Sequence, residues 1–175
     1  MSILVCPLIH VEEVVRQRSP SHLITLLDPM HETVAPAFTG RRLRVDVNDI
    51  VEPMEGLILA DAPMVESLLA FGRDWDAAAP ILVHCWAGIS RSTATAFILA
   101  CERNPQADEA AIARALRQAS PTAHPNPRFV AVADDLLGRG GRMVDALKAM
   151  GGADFFAEGG PFELPAAFPA GKAGA

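Results

Sequence analysis

Residues 81–101, ILVHCWAGISRSTATAFILAC, are the tightest constraint on what this chain can fold into. An apolar run, Ile81-Leu82-Val83, leads into a turn-rich loop at 84–91, and a helical pattern follows from Ser92 through Phe97 and Ile98. A buried strand must therefore end where a helix begins. The loop between them has a Cys near its start, a Gly in its middle and an Arg followed by a Ser at its end. Backbone N–H groups of a tight loop can converge into an anion-binding nest, and the helix behind it adds its partly positive N-terminus. Both effects favour a tetrahedral oxyanion at one spot.

Each side chain in the loop has a use there. Helix N-termini and neighbouring cations favour the thiolate form of a cysteine, which makes Cys85 a candidate nucleophile. Gly88 can take the positive φ that a loop curled around an anion requires. Arg91 offers a permanently charged, planar fork that matches two oxygens of a phosphoryl group. Ser92 stands next to it and can donate its hydroxyl to the sulfur when a covalent intermediate breaks down.

The run His84-Cys85-Trp86-Ala87-Gly88-Ile89-Ser90-Arg91-Ser92 resembles the signature loop of the protein tyrosine phosphatases: His-Cys, five residues, then Arg-Ser/Thr, with Gly at the third variable place. Within that cysteine-based superfamily it is most similar to the dual-specificity-like branch. A Cys and an Arg at this spacing arise by chance, whereas strand, His, Gly, Ser and following helix rarely coincide. Two other anion loops fail by counting. A rhodanese-type loop needs its Arg one place earlier, where Ser90 stands. A low-molecular-weight phosphatase carries its loop after the first strand, and six places beyond Cys6 stands Glu12.

The resemblance implies phosphomonoester hydrolysis through a phosphocysteine, without metal or cofactor. Cys85 would attack, Trp86, Ala87, Gly88, Ile89, Ser90 and Arg91 would hold the phosphoryl oxygens, and Ser92 would assist the leaving sulfur. The general acid in such enzymes lies on a loop a few tens of residues before the nucleophile. Asp49 is our assignment, since it follows the alternating stretch 41–47, in a segment whose Pro53 and Gly56 suit a movable loop. Asp46 shares the outer side of that stretch with Arg42 and Arg44, where a surface ion pair is the simpler role. Asp61 reads as a helix cap, and Glu52 is the remaining competitor.

Composition bounds the rest. With 175 residues, 50% of them hydrophobic and 21% charged, the chain suits one α/β domain with one core. A net charge of −6 argues against general binding to nucleic acid. Three cysteines without a C-x-x-C pair suggest neither a disulfide framework nor zinc, so a reducing, cytoplasmic setting is expected. No apolar run is long enough to span a membrane, and Pro7 interrupts the one at the N-terminus.

In order, strands are expected at 3–5, 22–27 and 41–47, the second stopped by Asp28-Pro29. Helices are expected at 11–16, from Asp61 through Trp75, at 108–118, from Asn126-Pro127 with Phe129, Val132, Ala133, Leu136 and Leu137 inward, and at 144–150. Pro125-Asn126 and Phe129 resemble the segment after the catalytic helix in dual-specificity-like phosphatases. His22 and His31 read as ordinary polar residues, and Cys6 and Cys101 as packing. Trp86 is left between two places, the pocket mouth and the underside of the loop.

The expected architecture is a single α/β domain over residues 1–150, with a central, mostly parallel sheet of about four or five strands flanked by helices. Residues 151–175, rich in Gly, Ala and Pro, read as a flexible tail on which Phe155, Phe156 and Phe162 dock lightly. The expected partner is a phosphorylated protein or small molecule. A protein tyrosine or dual-specificity phosphatase is the leading reading. Two alternatives are a phosphate-binding pseudophosphatase and a phosphatase of a small metabolite such as an inositol phosphate, the last weakened by a loop without Lys. The sequence fixes no oligomeric state.

Overall fold

The structure is a computed structural model and describes residues 1–32, 35, 37–153 and 158–171. Its five-stranded sheet runs in the order β3-β2-β4-β1-β5, with β1 at Ser2–Pro7, β2 at His22–Leu27, β3 at Arg41–Asp46, β4 at Ile81–Cys85 and β5 at Phe162–Pro165. The first four are mutually parallel and β5 lies antiparallel to β1. This is the mostly parallel α/β sheet that the sequence implies.

The two faces are covered unequally. On one face, Ile3, Val5, Ile24, Leu26, Ile81 and Val83 meet α2 (Ala62–Asp74), α3 (Arg91–Arg103), α4 (Glu109–Ala119), α5 (Pro127–Leu136) and α6 (Arg142–Met150). On the other, Leu4, Cys6, Leu23 and Leu82 meet Val11 and Val14 of α1 (Val11–Arg18), with Ala35 and Phe38 beside them. Alternating direction along the strands produces this division. The central strands β1, β2 and β4 are buried on both sides, so their sequences are mostly apolar, and two polar side chains within β2 and β4, Thr25 and His84, are bonded to each other. Edge strand β3 alternates, with Val45 buried and Arg42, Arg44 and Asp46 exposed.

Helix α3 is the pivot, since residues 91–101 are all buried. Helix α2 begins as its sequence suggests, with the Asp61 carboxylate accepting from the Met64 N–H at 3.0 Å, and it ends at a buried Trp75 whose indole N–H reaches the Ala79 carbonyl at 2.7 Å.

Two expectations need correction. Leu136 is not inward but 41% exposed, because α5 turns Asp134 into the core instead. That carboxylate accepts from the N–H groups of Gly141 at 2.6 Å and Met143 at 2.7 Å and so begins α6. The second concerns the C-terminal stretch, where no strand was expected. Phe162 pairs with Val5 and Leu164 with Ile3, Leu164 is fully buried, and the Ala166 N–H reaches the Met1 carbonyl at 3.1 Å. Four residues with one buried apolar side chain give little periodicity, and backbone pairing with β1 supplies the order. Phe155 and Phe156 lie outside the described residues.

Candidate active site

The site lies where the parallel strands end, the edge at which open α/β sheets hold ligands. Cys85 is the last residue of β4, Asp28 follows β2, and Asp49 comes just after β3. Strand order sets them side by side, with β2 between β3 and β4.

Cys85 and Ser92 face each other with Sγ and Oγ 3.1 Å apart, and both are buried. Gly88 has φ +70°, and a Cβ there would lie 2.7 Å from the backbone nitrogen of Pro7, so two constraints require glycine. All peptides are trans among the described residues. In a planar trans peptide the C=O and the following N–H point in opposite directions. The loop carbonyls are pulled outward by donors behind them: Trp86 by the Leu8 N–H at 3.0 Å, Ala87 by Gly159 at 2.8 Å, Ile89 by His124 at 2.9 Å, and Ser90 by Ala94 at 2.9 Å and Asn126 at 3.3 Å. The N–H groups of Ala87, Gly88, Ser90 and Arg91 are thereby turned away from those donors, the orientation that an anion nest requires.

Arg91 is 5% exposed and held rigidly. One terminal nitrogen, Nη1, donates to Asp28 Oδ1 at 2.9 Å and to the Val47 carbonyl at 2.8 Å. Its Nε is buried and unpartnered, with Asp49 Oδ2 4.0 Å away. A buried guanidinium N–H without an acceptor is costly unless something fills the space in front of it. An oxyanion would do so.

Asp49 is anchored through one oxygen. Oδ1 accepts from Ser90 Oγ at 2.7 Å and from Asn126 Nδ2 at 2.8 Å, while Oδ2 is the oxygen on the side of Arg91. Asn126 also begins α5, its Oδ1 accepting from the Arg128 N–H at 2.9 Å. Asp46 pairs with Arg44 at 2.8 Å on the outer side of β3, and Asp61 caps α2, so both have other partners.

His84 is fully buried and its Nε2 meets Thr25 Oγ1 at 2.8 Å. Burial pushes its imidazole down to about 4, with Arg44 and Arg91 adding to the effect and the Cys85 backbone opposing it. Burial thus favours the neutral ring, held by Thr25 at the residue before the nucleophile. Cys6 and Cys101 are fully buried, and burial raises both thiols, Cys6 to about 12. Trp86 sits at the mouth, 55% exposed, its ring edge-on to His31 at 4.8 Å between centroids.

Three residues near the loop were not singled out from the sequence for this site: Asp28, His31 as the partner of Trp86, and Gly159. Asp28 had a usable signal, since it directly follows a buried strand at the ligand-binding edge. Gly159 had none. Among the described residues no cluster of three His, Cys, Asp or Glu side chains could hold a metal ion, and no helix is long and apolar enough to cross a membrane.

Comparison with solved structures bears on the fold. Human DUSP28 matches with a TM-score of 0.55 and 24% identity over 74% of this chain and 82% of that one. The fold is that of the dual-specificity phosphatases. A human tyrosine phosphatase-like serine/threonine/tyrosine-interacting protein matches with a TM-score of 0.61 and 20% identity, covering 77% of this chain and 90% of its own. The Cydia pomonella PTP-2 phosphatase matches with a TM-score of 0.56 and 24% identity, covering 75% and 83%. No protein-family model and no curated protein sequence matches the chain.

Proposed function

We propose that the chain is a phosphomonoester hydrolase that works through a phosphocysteine, acting on phosphorylated protein as a tyrosine or dual-specificity phosphatase. The observation that carries this reading is the buried Nε of Arg91, without a hydrogen-bond partner, next to the Cys85–Ser92 pair, in a loop whose carbonyls are bonded from behind.

In the first step the Cys85 thiolate attacks phosphorus in line with the ester oxygen. The S–P bond forms as the P–O bond breaks, and Asp49 Oδ2 gives its proton to the leaving oxygen. Backbone N–H groups and the Arg91 guanidinium hold the equatorial oxygens as charge redistributes. In the second step a water attacks phosphorus and gives its proton to Asp49. The S–P bond breaks, the Ser92 hydroxyl donates to the departing sulfur, and inorganic phosphate leaves.

Protein substrates are favoured over polyanionic small molecules by the rim. Ile9, Met30, Val51, Met54, Leu57 and Trp86 are exposed large hydrophobics, and they follow the ends of β1, β2, β3 and β4 on the catalytic edge. Such a surface suits the apolar side chains that flank a single phosphorylated residue. The pseudophosphatase alternative is disfavoured because nucleophile, guanidinium and hydroxyl are all in place. Three unpaired, buried cysteines support the cytoplasmic assignment. Hydrolysis rates for phosphotyrosine peptides, phosphothreonine peptides and inositol phosphates, measured side by side, test this reading. Preference for the inositol phosphates would overturn the protein-substrate assignment, and no turnover of any of them would overturn the hydrolase.

A further inference from the structure

The donor to the Ala87 carbonyl is of a different kind from its neighbours. Leu8, His124 and Asn126 belong to the strand exit and loops that surround the site, whereas the Gly159 N–H comes from the far end of the chain. It is brought there by an anchored segment. Strand β5 pairs with β1 in the register Val5↔Phe162 to Ser2↔Pro165, and Glu163 meets Arg18 at 2.5 Å. Beyond the strand, the Phe168 N–H donates to Asn104 Oδ1 at 2.8 Å and the Gly171 N–H to the Gln106 carbonyl at 2.7 Å. Both contacts lie just past the end of α3, the helix that begins at the anion loop.

Gly159 is buried and closely fitted. A Cβ placed there would stand 3.2 Å from the Gly88 carbonyl oxygen, 3.2 Å from Thr122 Oγ1 and 3.4 Å from the Ala87 carbonyl oxygen. Its neighbour Gly160 is exposed, and a Cβ there would meet nothing. The chain thus places a side-chain-free residue against the back of the loop.

We propose that Gly159 is a positioning residue of the phosphate site: its N–H holds the Ala87–Gly88 peptide with the Gly88 N–H turned toward the bound oxyanion, and the β5 segment is thereby part of the active site. This rests on reading residues 85–91 as a phosphate-binding loop. The physical basis is that a peptide lacking an external acceptor or donor is free to rotate, and each N–H turned away removes a charge-assisted hydrogen bond from the anion. A glycine at position 88, which tolerates either orientation, makes this the loop peptide most in need of an outside hold.

The test compares Gly159→Ala and Gly160→Ala in the full chain, using vanadate as the probe. We expect Gly159→Ala to weaken vanadate binding by about tenfold, the scale of one hydrogen bond to a charged group. It should also shrink the amide proton shift of Gly88 on vanadate addition, while Gly160→Ala behaves as wild type. Global loosening alone would shift the melting temperature without singling out the Gly88 amide. Vanadate binding within about twofold of wild type, with an unchanged Gly88 response, would overturn the proposal. Should Gly159→Ala fail to fold, amide exchange in the wild-type protein decides instead: a protected Gly159 N–H, further slowed by vanadate, supports the hold, and exchange at an open-chain rate overturns it. The vanadate comparison stands even for a wild-type protein that turns over no ester, so failure of the hydrolase reading is distinguishable from failure of this one.

Discussion

Asp28 Oδ1 lies 2.9 Å from Arg91 Nη1, linking the end of one strand to the start of the central helix across 63 residues of sequence. The contact fixes which edge of the guanidinium is left for a ligand. With Nη1 engaged by Asp28 and by the Val47 carbonyl, Nε is the buried donor left without a hydrogen bond.

Asp28→Asn keeps an acceptor near Nη1 but removes the charge, and Asp28→Leu removes both. Asp28 is one-third exposed, so solvent screens part of the pair and the loss is smaller than for a fully buried bridge. We expect kcat/KM on an aryl phosphate to fall roughly tenfold for Asn and further for Leu, about 1.4 kcal/mol for the first step. Arg91→Lys should lose most activity, since the single nitrogen of an ammonium cannot reproduce the planar fork that reaches Asp28 on one edge and phosphoryl oxygens on another. Near-normal kinetics in Arg91→Lys would show that the guanidinium does not face the substrate.

If Asp49 is the acid, its replacement should matter in proportion to how badly the leaving group needs a proton. Asp49→Asn should cost roughly 10²–10⁴-fold with an alkyl or phenol leaving group and far less with an activated aryl phosphate. Asn126→Ala should show a weaker version of the same dependence, because it frees Oδ1 from one of its two anchors. A leaving-group dependence in Asp46→Asn that is absent from Asp49→Asn would move the role to Asp46.

The buried His84 makes stability depend on pH. Its imidazole is at about 4 in the folded protein against an ordinary 6.5, so between these values the unfolded chain binds the extra proton. Stability therefore falls as pH drops from about 6.5 toward 4, by up to about 3 kcal/mol from this residue. Chemical denaturation of wild type and His84→Gln across that range checks the sign. The gap between the two should narrow toward low pH, and a constant gap would mean that the ring is not held neutral.

Much of the site was legible because it is contiguous. Cys85, Gly88, Arg91 and Ser92 share one loop and helix start, where local sequence fixes geometry. That Asp49 lies beyond β3 was readable from the break in alternation, and the outward face of Asp46 follows from the two-residue period. What remained hidden depends on long-range pairing. Asn126 meets Asp49 across 77 residues, and Asp28 reaches Arg91 only because β2 is inserted between β3 and β4. The place of Asp28 at a strand end was readable, but the partner of neither residue has a local signature. The β5 strand was missed for a related reason, since Glu163 and Pro165 face outward and only Leu164 is fully buried, so its order comes from β1. Leu136 went astray because Asp134, a charged residue, takes the inward position in order to cap α6.

The central claim is a covalent phosphocysteine at Cys85, and rapid-quench kinetics with an activated aryl phosphate, whose leaving group needs no proton, test it most directly. The wild-type protein should release one equivalent of phenol in a burst before steady turnover if the second step is slower, and acid-quenched protein should carry phosphate on the peptide containing Cys85. Asp49→Asn, in which the carboxylate can no longer accept the proton of the hydrolytic water, should accumulate more of it. Cys85→Ser should show neither burst nor turnover while still binding vanadate, because the cradle outlasts the loss of the thiolate. Turnover by Cys85→Ser within about tenfold of wild type, or phosphate release with no trapped phosphopeptide even in Asp49→Asn, would contradict the mechanism.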